Sequence, residues 1–168
     1  MRWKLVGIFP DFDKCIIIVV PHTHWYDFPL GIIVRKIINR EVNYIGKKEL
    51  FKKPYGSFFR WLGGKPVDRF KNSNIVDAVT QIFKENDVFR LALAPEGTRK
   101  KVKTLKTGFY YIAKKANVPI VMVAFDYGKK EVKFSKPFWV SNNIDEDFKT
   151  VKAFYKGVEG KIPEYSFS

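Results

Sequence analysis

Short apolar runs alternate with longer amphipathic stretches along most of the chain. Runs rich in Val, Ile, Leu and Phe predict strands; these are residues 5–9, 16–20, 42–45, 66–69, 88–94, 118–125 and 131–140. Apolar positions at helical spacing predict helices at residues 27–39, 47–53, 75–84, 104–116 and 145–157. Strands that alternate with helices predict an α/β fold. We expect a single domain over residues 1–168, with a mostly parallel or mixed β-sheet flanked by helices.

Three of these elements carry a more specific expectation. The helix over residues 27–39 is apolar nearly all round, so we expect it to be buried. The helix that ends near residue 84 is expected to be capped by Ser73 or Asn74. The stretch over residues 131–140 alternates loosely and is expected to pair with residues 118–125.

The composition indicates a protein that folds in water and carries excess positive charge. The 168 residues include 31 basic and 17 acidic side chains, which gives a net charge of +14. Such a surface attracts phosphate groups, anionic lipid, nucleic acid or an acidic protein. The longest apolar run is far shorter than the ~20 residues of a membrane-spanning helix, and no signal peptide is evident. The single cysteine, Cys15, enters an apolar strand and is interpreted as a core residue in a reducing compartment.

The most distinctive stretch joins the strand at residues 16–20 to the helix at residues 27–39. It reads Pro21-His22-Thr23-His24-Trp25-Tyr26-Asp27 and holds both histidines of the chain. On one regular helix His22 and Asp27 would point ~140° apart, so a contact requires His22 to lie in the loop. An imidazole held by a carboxylate is suited to general-base chemistry. The same spacing is equally compatible with a capping aspartate beside a packed histidine.

Two further features of the sequence bear on chemistry. His22, His24 and Asp27 could supply three metal ligands, but the chain has no other histidine and one cysteine, so we expect neither a metal nor a cofactor. A second candidate stretch, Pro95-Glu96-Gly97-Thr98-Arg99, follows the strand at residues 88–94. Ligand sites of α/β folds lie at such strand ends, and arginine suits phosphate.

Together these stretches resemble the glycerolipid acyltransferase superfamily, the 1-acylglycerol-3-phosphate acyltransferases and their relatives. The resemblance covers about residues 15–125 and rests on four blocks in family order. The blocks are His22-x4-Asp27, residues 46–50 with residues 65–69, residues 95–99, and Val118-Pro119-Ile120-Val121. In place of the usual Asn before the histidine and Ser or Thr two residues after it, this chain has Pro21 and His24.

The resemblance implies an O-acyltransferase in which His22 is the base and Asp27 its orienting partner. It makes Lys47, Arg69 and Arg99 candidates for the acceptor's phosphate, with Glu96, Gly97 and Thr98 shaping the site around Arg99. The donor would be acyl-CoA or acyl-carrier protein and the acceptor a lysophospholipid. Amides near Gly97 or at a helix N-terminus would stabilise the oxyanion.

The charge and the aromatic residues of residues 47–61 suggest where this chemistry would occur. Lysines there would attract an anionic membrane, and Phe58, Phe59 and Trp61 would either enter the interface or pack inside. We therefore expect a cytoplasmic protein bound peripherally to the inner face of the membrane. Two alternatives remain at this point: a basic nucleic-acid-binding module, which lacks a recognised motif here, and a catalytically silent lipid-binding relative.

Overall fold

A five-stranded mixed sheet organises the computed structural model, which describes residues 3–67 and 75–167. Seven strands are present in these ranges: β1 (Lys4–Val6), β2 (Lys14–Val20), β3 (Tyr44–Lys47), β4 (Gly64–Val67), β5 (Phe89–Leu93), β6 (Ile120–Asp126) and β7 (Glu131–Phe134). The large sheet has the order β1-β7-β6-β2-β5, and β3 and β4 form a separate parallel pair. Within the large sheet β2, β5 and β6 are parallel, whereas β7 runs antiparallel to β6. The predicted α/β class, the mixed sheet and the pairing of β7 with β6 are confirmed.

Helices cover both faces of this sheet. The α-helices of the described ranges are α1 (Asp27–Ile38), α2 (Gly56–Trp61), α3 (Ile75–Glu85), α4 (Gly108–Ala116) and α5 (Ile144–Tyr155). Short 3₁₀ helices occur at Lys48–Phe51 and Pro163–Tyr165. None of the helices in the part of the chain that is described has the length and apolar character needed to cross a bilayer.

The two faces of β2 show how the pattern of the sequence builds the core. Ile16, Ile18 and Val20 point into one apolar cluster, while Cys15 and Ile17 point into the other, because successive side chains of a strand alternate between faces. All five are buried. Burial raises the pKa of the Cys15 thiol to about 12, so the interpretation of this residue as part of the core is confirmed.

The expectation that the helix at residues 27–39 is buried is wrong. Within α1 only Asp27 and Val34 are buried, whereas Phe28, Ile33 and Ile37 are exposed. The helix packs on the sheet through the side that carries Val34, with Leu30 and Ile38 partly buried beside it, whereas the side that carries Ile33 and Ile37 is exposed. An apolar helix surface is therefore left open to solvent.

Several predicted boundaries also differ. The helix predicted to start at residue 104 starts at Gly108, and the basic segment at residues 47–53 forms only the 3₁₀ turn Lys48–Phe51, shortly before Pro54. The strand predicted over residues 131–140 ends at Phe134, after which a single bridge joins Ile120 and Phe138. The predicted caps Ser73 and Asn74 lie outside the described residues.

Candidate active site

The loop between β2 and α1 brings His22 and Asp27 into contact. Asp27 is the first residue of α1, and its Oδ2 lies 2.9 Å from Nδ1 of His22. His22 thus lies in the loop, as the spacing required. The Asp27 side chain is 2% exposed and that of His22 is 25% exposed, so the carboxylate is buried while the histidine is partly accessible to solvent.

Several donors surround the Asp27 carboxylate. Besides His22, the backbone N–H groups of Thr23 and His24 donate to Oδ2 over 3.0 Å each. Burial alone would raise the pKa of Asp27, but the hydrogen bonds from His22, His24 and Tyr127 outweigh it and hold this pKa below its ordinary value of 3.8. The carboxylate is therefore ionised at neutral pH. Because it only accepts hydrogen bonds, Nδ1 of His22 is assigned the proton and Nε2 is left as the acceptor.

A second buried carboxylate supports His22 from the other side. Oε2 of Glu96 accepts the backbone N–H of His22 at 2.6 Å, and Glu96 is 2% exposed. Burial, reinforced by the negative charge of Asp27, raises the pKa of Glu96 to about 7 in spite of the opposing contribution of His22. Glu96 thus holds the backbone of the histidine loop, a contact that the sequence of residues 95–99 did not reveal.

The remaining residues of this motif lie in the exposed loop after β5. Gly97 has a φ of +67°, and a Cβ there would lie 2.5 Å from Nζ of Lys106, so this turn suits glycine. Thr98 Oγ1 accepts the backbone N–H of Lys100 at 3.3 Å. Arg99 is exposed, and among the described residues its guanidinium makes no ion pair or hydrogen bond. It is therefore free to bind an anionic ligand.

The structure does not describe the side chains of two residues predicted to bind phosphate, Lys47 and Arg69. Lys47 ends β3, and the structure gives only its backbone position. Arg69 lies outside the described residues, although β4, which precedes it, ends at Val67. Their role in acceptor binding stays a prediction.

His24, the unusual residue of the motif, turns toward its own loop. Its Nδ1 accepts the backbone N–H of Tyr26 at 3.3 Å, and its ring stacks on that of Tyr26 with centroids 5.2 Å apart. Within residues 3–67 and 75–167 no three His, Cys, Asp or Glu side chains are grouped as a metal site requires.

An apolar cavity of about 210 Å³ opens beside the pair. It is lined by His22 in the loop, by Asp27 at the start of α1 and by Arg35 eight residues further along that helix. Eight helical residues span about 12 Å, so the cavity is elongated along α1. Arg35 Nη1 donates to the carbonyl oxygen of Leu62 at 2.7 Å. The other walls of the cavity are mainly apolar and are formed by Val19, Phe28, Gly31, Ile32, Val42, Tyr44, Leu62, Leu93 and Phe125, among others.

Sequence reasoning missed Tyr127, which follows β6 and donates its hydroxyl to Oδ1 of Asp27 at 2.8 Å. It lies 100 residues from Asp27 and outside every motif block. Its position directly after a parallel strand was the available signal, because sites in such sheets lie at these strand ends.

The C-terminal segment braces the histidine loop. The buried Thr23 hydroxyl accepts the backbone N–H of Ile162 at 3.1 Å. A Cβ on Gly160 would lie only 2.6 Å from Cγ2 of Thr23. The segment and the loop therefore fit together without room for a side chain at Gly160.

The chain is similar to two known acyltransferases. The chain is 30% identical over 118 residues to a 1-acyl-sn-glycerol-3-phosphate acyltransferase of Streptococcus pneumoniae, covering 69% of this chain and 43% of that protein. It therefore spans less than half the length of this curated relative. The crystal structure of the 1-acyl-sn-glycerophosphate acyltransferase PlsC from Thermotoga maritima shares the fold, with a TM-score of 0.62 and 22% identity over 90% of this chain and 69% of the other.

The family comparison covers the residues that build the site. The model described as Acyltransferase matches residues 5–126, well over half of the chain. That stretch contains the His22–Asp27 pair, the cavity wall on α1 and the Glu96 loop. By this match the protein belongs to the acyltransferase family.

Proposed function

We propose that the protein transfers a fatty acyl group from acyl-CoA or acyl-carrier protein to the hydroxyl of a lysophospholipid such as 1-acylglycerol-3-phosphate. One observation carries the proposal. The hydrogen bond between Nδ1 of His22 and Asp27 assigns the proton of the neutral imidazole to Nδ1 and so leaves Nε2 as the acceptor, and His22 lines the apolar cavity. A base at the entrance of an apolar channel is what transfer of an acyl chain to an alcohol requires.

In the proposed reaction His22 Nε2 takes the proton of the acceptor hydroxyl as its oxygen attacks the thioester carbonyl. An ester C–O bond forms and the C–S bond breaks, and the imidazolium then returns the proton to the leaving thiolate. Ionised Asp27 stabilises the imidazolium while it exists. General-base catalysis of this kind is worth roughly 100-fold to 10,000-fold in rate.

Several backbone amides expected to stabilise the oxyanion are already engaged in other hydrogen bonds. The Gly97 amide already donates to the carbonyl of Ala94 at 3.1 Å, and the amides of Thr23 and His24 are engaged by Asp27. We therefore propose that the donor for the tetrahedral intermediate is another group, such as a further backbone amide or a side chain of the β5–α4 loop, or the substrate's own hydroxyls.

For the acyl chain of the donor we propose the cavity along α1. The lining of this cavity beyond the catalytic pair is mainly apolar. A hydrocarbon chain would be stabilised there by about 25 cal/mol for each Å² of apolar surface removed from water. Arg35, held by the Leu62 carbonyl, would limit the depth that the chain reaches. For the acceptor's phosphate we propose Arg99, with Lys47 and Arg69 as further cations.

The site is proposed to work on an anionic membrane at the cytoplasmic face. Tyr55, Phe58 and Trp61 around α2 are 70%, 55% and 75% exposed, so these aromatic side chains are available for the interface instead of filling the core. Lys52 and Lys53 are exposed directly before them. Trp61 shares a surface depression with Lys36 and Arg40 at the end of α1, which continues the apolar and basic surface onto that helix.

Product analysis tests the proposed function. Purified protein is supplied with lysophosphatidate and either palmitoyl-CoA or palmitoyl-carrier protein, and the lipids are analysed by mass spectrometry. We expect phosphatidate with at least one of the two donors. Binding of the lysophospholipid without product from either donor would instead indicate a lipid-binding relative that lacks catalysis.

A further inference from the structure

The two oxygens of Asp27 are held by different side chains that approach from different parts of the chain. Oδ2 accepts from Nδ1 of His22 at 2.9 Å, and Oδ1 accepts from the Tyr127 hydroxyl at 2.8 Å. Tyr127 follows β6 and lies just beyond residues 5–126, which the family model matches. The tyrosine is thus a partner of the pair that none of the motif blocks contains.

The hydrogen bond from Tyr127 is the only contact found for Oδ1 among the described residues. Asp27 is 3% exposed, so little water can replace that donor. A carboxylate with both oxygens engaged cannot rotate freely, whereas one with Oδ1 vacant can tilt and lengthen its bond to His22. The Tyr127 hydroxyl therefore fixes the plane of Asp27, and Asp27 in turn fixes the imidazole.

Tyr127 is itself held on three sides. Its backbone N–H donates to the carbonyl of Glu159 at 2.8 Å, and its ring meets that of Trp3 edge to face with centroids 5.0 Å apart. Nζ of Lys161 lies 5.7 Å from the centre of the same ring. Burial and the adjacent Asp27 raise the pKa of Tyr127 above its ordinary value of 10, so the hydroxyl keeps its proton at neutral pH.

We propose that Tyr127 is a positioning residue that fixes Asp27 and thereby the orientation and tautomer of His22. The proposal rests on the general-base role proposed for His22. Tyr127 also lines a surface groove of about 870 Å³ between α1 and the C-terminal segment, so a direct contact with substrate is the alternative that a test has to separate.

The test compares Tyr127→Phe with Tyr110→Phe. Phenylalanine keeps the ring that packs on Trp3 and removes only the hydroxyl. Tyr110 is the matched control because its hydroxyl lies 2.9 Å from another buried carboxylate, that of Asp147. This hydrogen bond joins α4 to α5 and does not involve His22 or Asp27. Thermal unfolding of both variants confirms that each is folded.

We expect Tyr127→Phe to lower kcat about 10-fold, consistent with the loss of one charge-assisted hydrogen bond, while KM for both substrates changes less than about 2-fold. Tyr110→Phe is expected to leave both constants unchanged. A rise in KM at constant kcat would overturn the proposal in favour of substrate binding, and equal losses in the two variants would overturn it in favour of general stabilisation.

Two further measurements isolate the pathway through Asp27. In an Asp27→Asn background the cost of Tyr127→Phe should shrink to less than about 2-fold, because residues that act as a unit are not additive. A full 10-fold cost in that background would overturn the proposal. The proton on Nδ1 of His22, observed by NMR, should shift or broaden in Tyr127→Phe and not in Tyr110→Phe; an unchanged signal would also overturn it. This signal is read without substrate, so it decides the positioning role even if acyl transfer is not found.

Discussion

The backbone N–H of His22 donates to Oε2 of Glu96 across 2.6 Å, which joins two motifs that are 74 residues apart in the chain. The acceptor is a buried carboxylate whose pKa is raised to about 7 from an ordinary value of 4.5, chiefly by burial. Glu96 therefore changes its charge near neutral pH while it holds the histidine loop. The stability of the folded protein is therefore expected to depend on that charge.

The raised pKa predicts how stability changes with pH. Between pH 4.5 and 7 the folded protein keeps the Glu96 proton while the unfolded chain has lost it, so stability falls as pH rises through this range and the loss is complete above about pH 7. From pH 5 to pH 8 the contribution amounts to about 2 to 3 kcal/mol, since each pKa unit corresponds to about 1.4 kcal/mol.

Glu96→Gln provides the control for this prediction, because glutamine keeps an oxygen for the His22 amide and does not titrate. Urea unfolding of both proteins at pH 5 and pH 8 gives the two differences. We expect the wild-type protein to lose about 2 to 3 kcal/mol more than Glu96→Gln. Parallel losses in the two proteins would show that Glu96 does not titrate in this range.

Gly31 tests whether the cavity holds the acyl chain. It lies on the cavity wall in α1, and a Cβ there would meet only Cζ of Phe125, at 3.9 Å. Gly31→Ala should therefore be tolerated and should stabilise the helix by up to about 1 kcal/mol. Gly31→Leu should fill the cavity and lower kcat/KM for long-chain donors more than for short-chain donors. Equal losses for all chain lengths would indicate that the acyl chain lies elsewhere.

Arg99 is expected to bind the acceptor's phosphate. Arg99→Ala should lower kcat/KM for lysophosphatidate about 10-fold to 100-fold, because a charge-assisted bond to phosphate is worth roughly 1.5–3 kcal/mol. Lysine at this position should restore only part of the loss, since it lacks the planar fork of arginine. The comparison uses a monoacylglycerol, which has no phosphate, and Lys100→Ala, which removes the neighbouring exposed cation. The same loss on both acceptors would remove Arg99 from phosphate recognition.

Membrane binding is expected to depend on charge and on the exposed aromatic side chains of α2. A basic residue near an anionic surface contributes ~1 kcal/mol, so sedimentation with phosphatidylglycerol vesicles should decrease as salt is raised. Trp61→Ser should weaken this binding, whereas Trp139→Ser should not, because Trp139 is also exposed but lies beside Phe12 and outside the aromatic surface of α2. Equal binding to phosphatidylcholine vesicles at low salt would contradict the electrostatic part of the account.

Local pattern was enough to predict the mixed sheet and most helices, because continuous apolar runs specify buried strands such as β2 and β6. Spacing showed that a contact between His22 and Asp27 requires His22 to lie in the loop before α1, but it was equally compatible with a capping aspartate beside a packed histidine, and the structure shows the contact. The solvent exposure of α1 could not be predicted in this way. Apolar composition does not show which side of a helix the sheet will cover, and only Asp27 and Val34 are buried there.

Contacts between distant parts of the chain could not be predicted either. The hydroxyl of Tyr127 reaches Asp27 only because β6 lies beside β2 in the sheet, and Glu96 reaches His22 only because β5 lies on the other side. Motif spacing contains no information about strand order. Glu96 was therefore a candidate from the sequence, but its contact with His22 and the whole role of Tyr127 follow from the order of the strands.

Asp27→Asn tests whether the Asp27 carboxylate supports His22, the proposed base. Asparagine keeps the size of the side chain but removes the charge that stabilises an imidazolium. Its NH₂ group is also a hydrogen-bond donor, whereas the ionised carboxylate of Asp27 only accepts. We expect kcat to fall at least about 100-fold with the fold retained, as checked by circular dichroism and thermal unfolding. Activity within about 2-fold of the wild-type protein would mean that the carboxylate only shapes the loop.

Steady-state acyl transfer by His22→Ala is the decisive test of His22 as the general base. With lysophosphatidate and the donor that the wild-type protein uses, we expect kcat to fall roughly 100-fold to 10,000-fold while the unfolding temperature and the KM for the donor stay close to those of the wild-type protein. Near-normal turnover by a folded His22→Ala protein would contradict the account, because the base would then have to be another group.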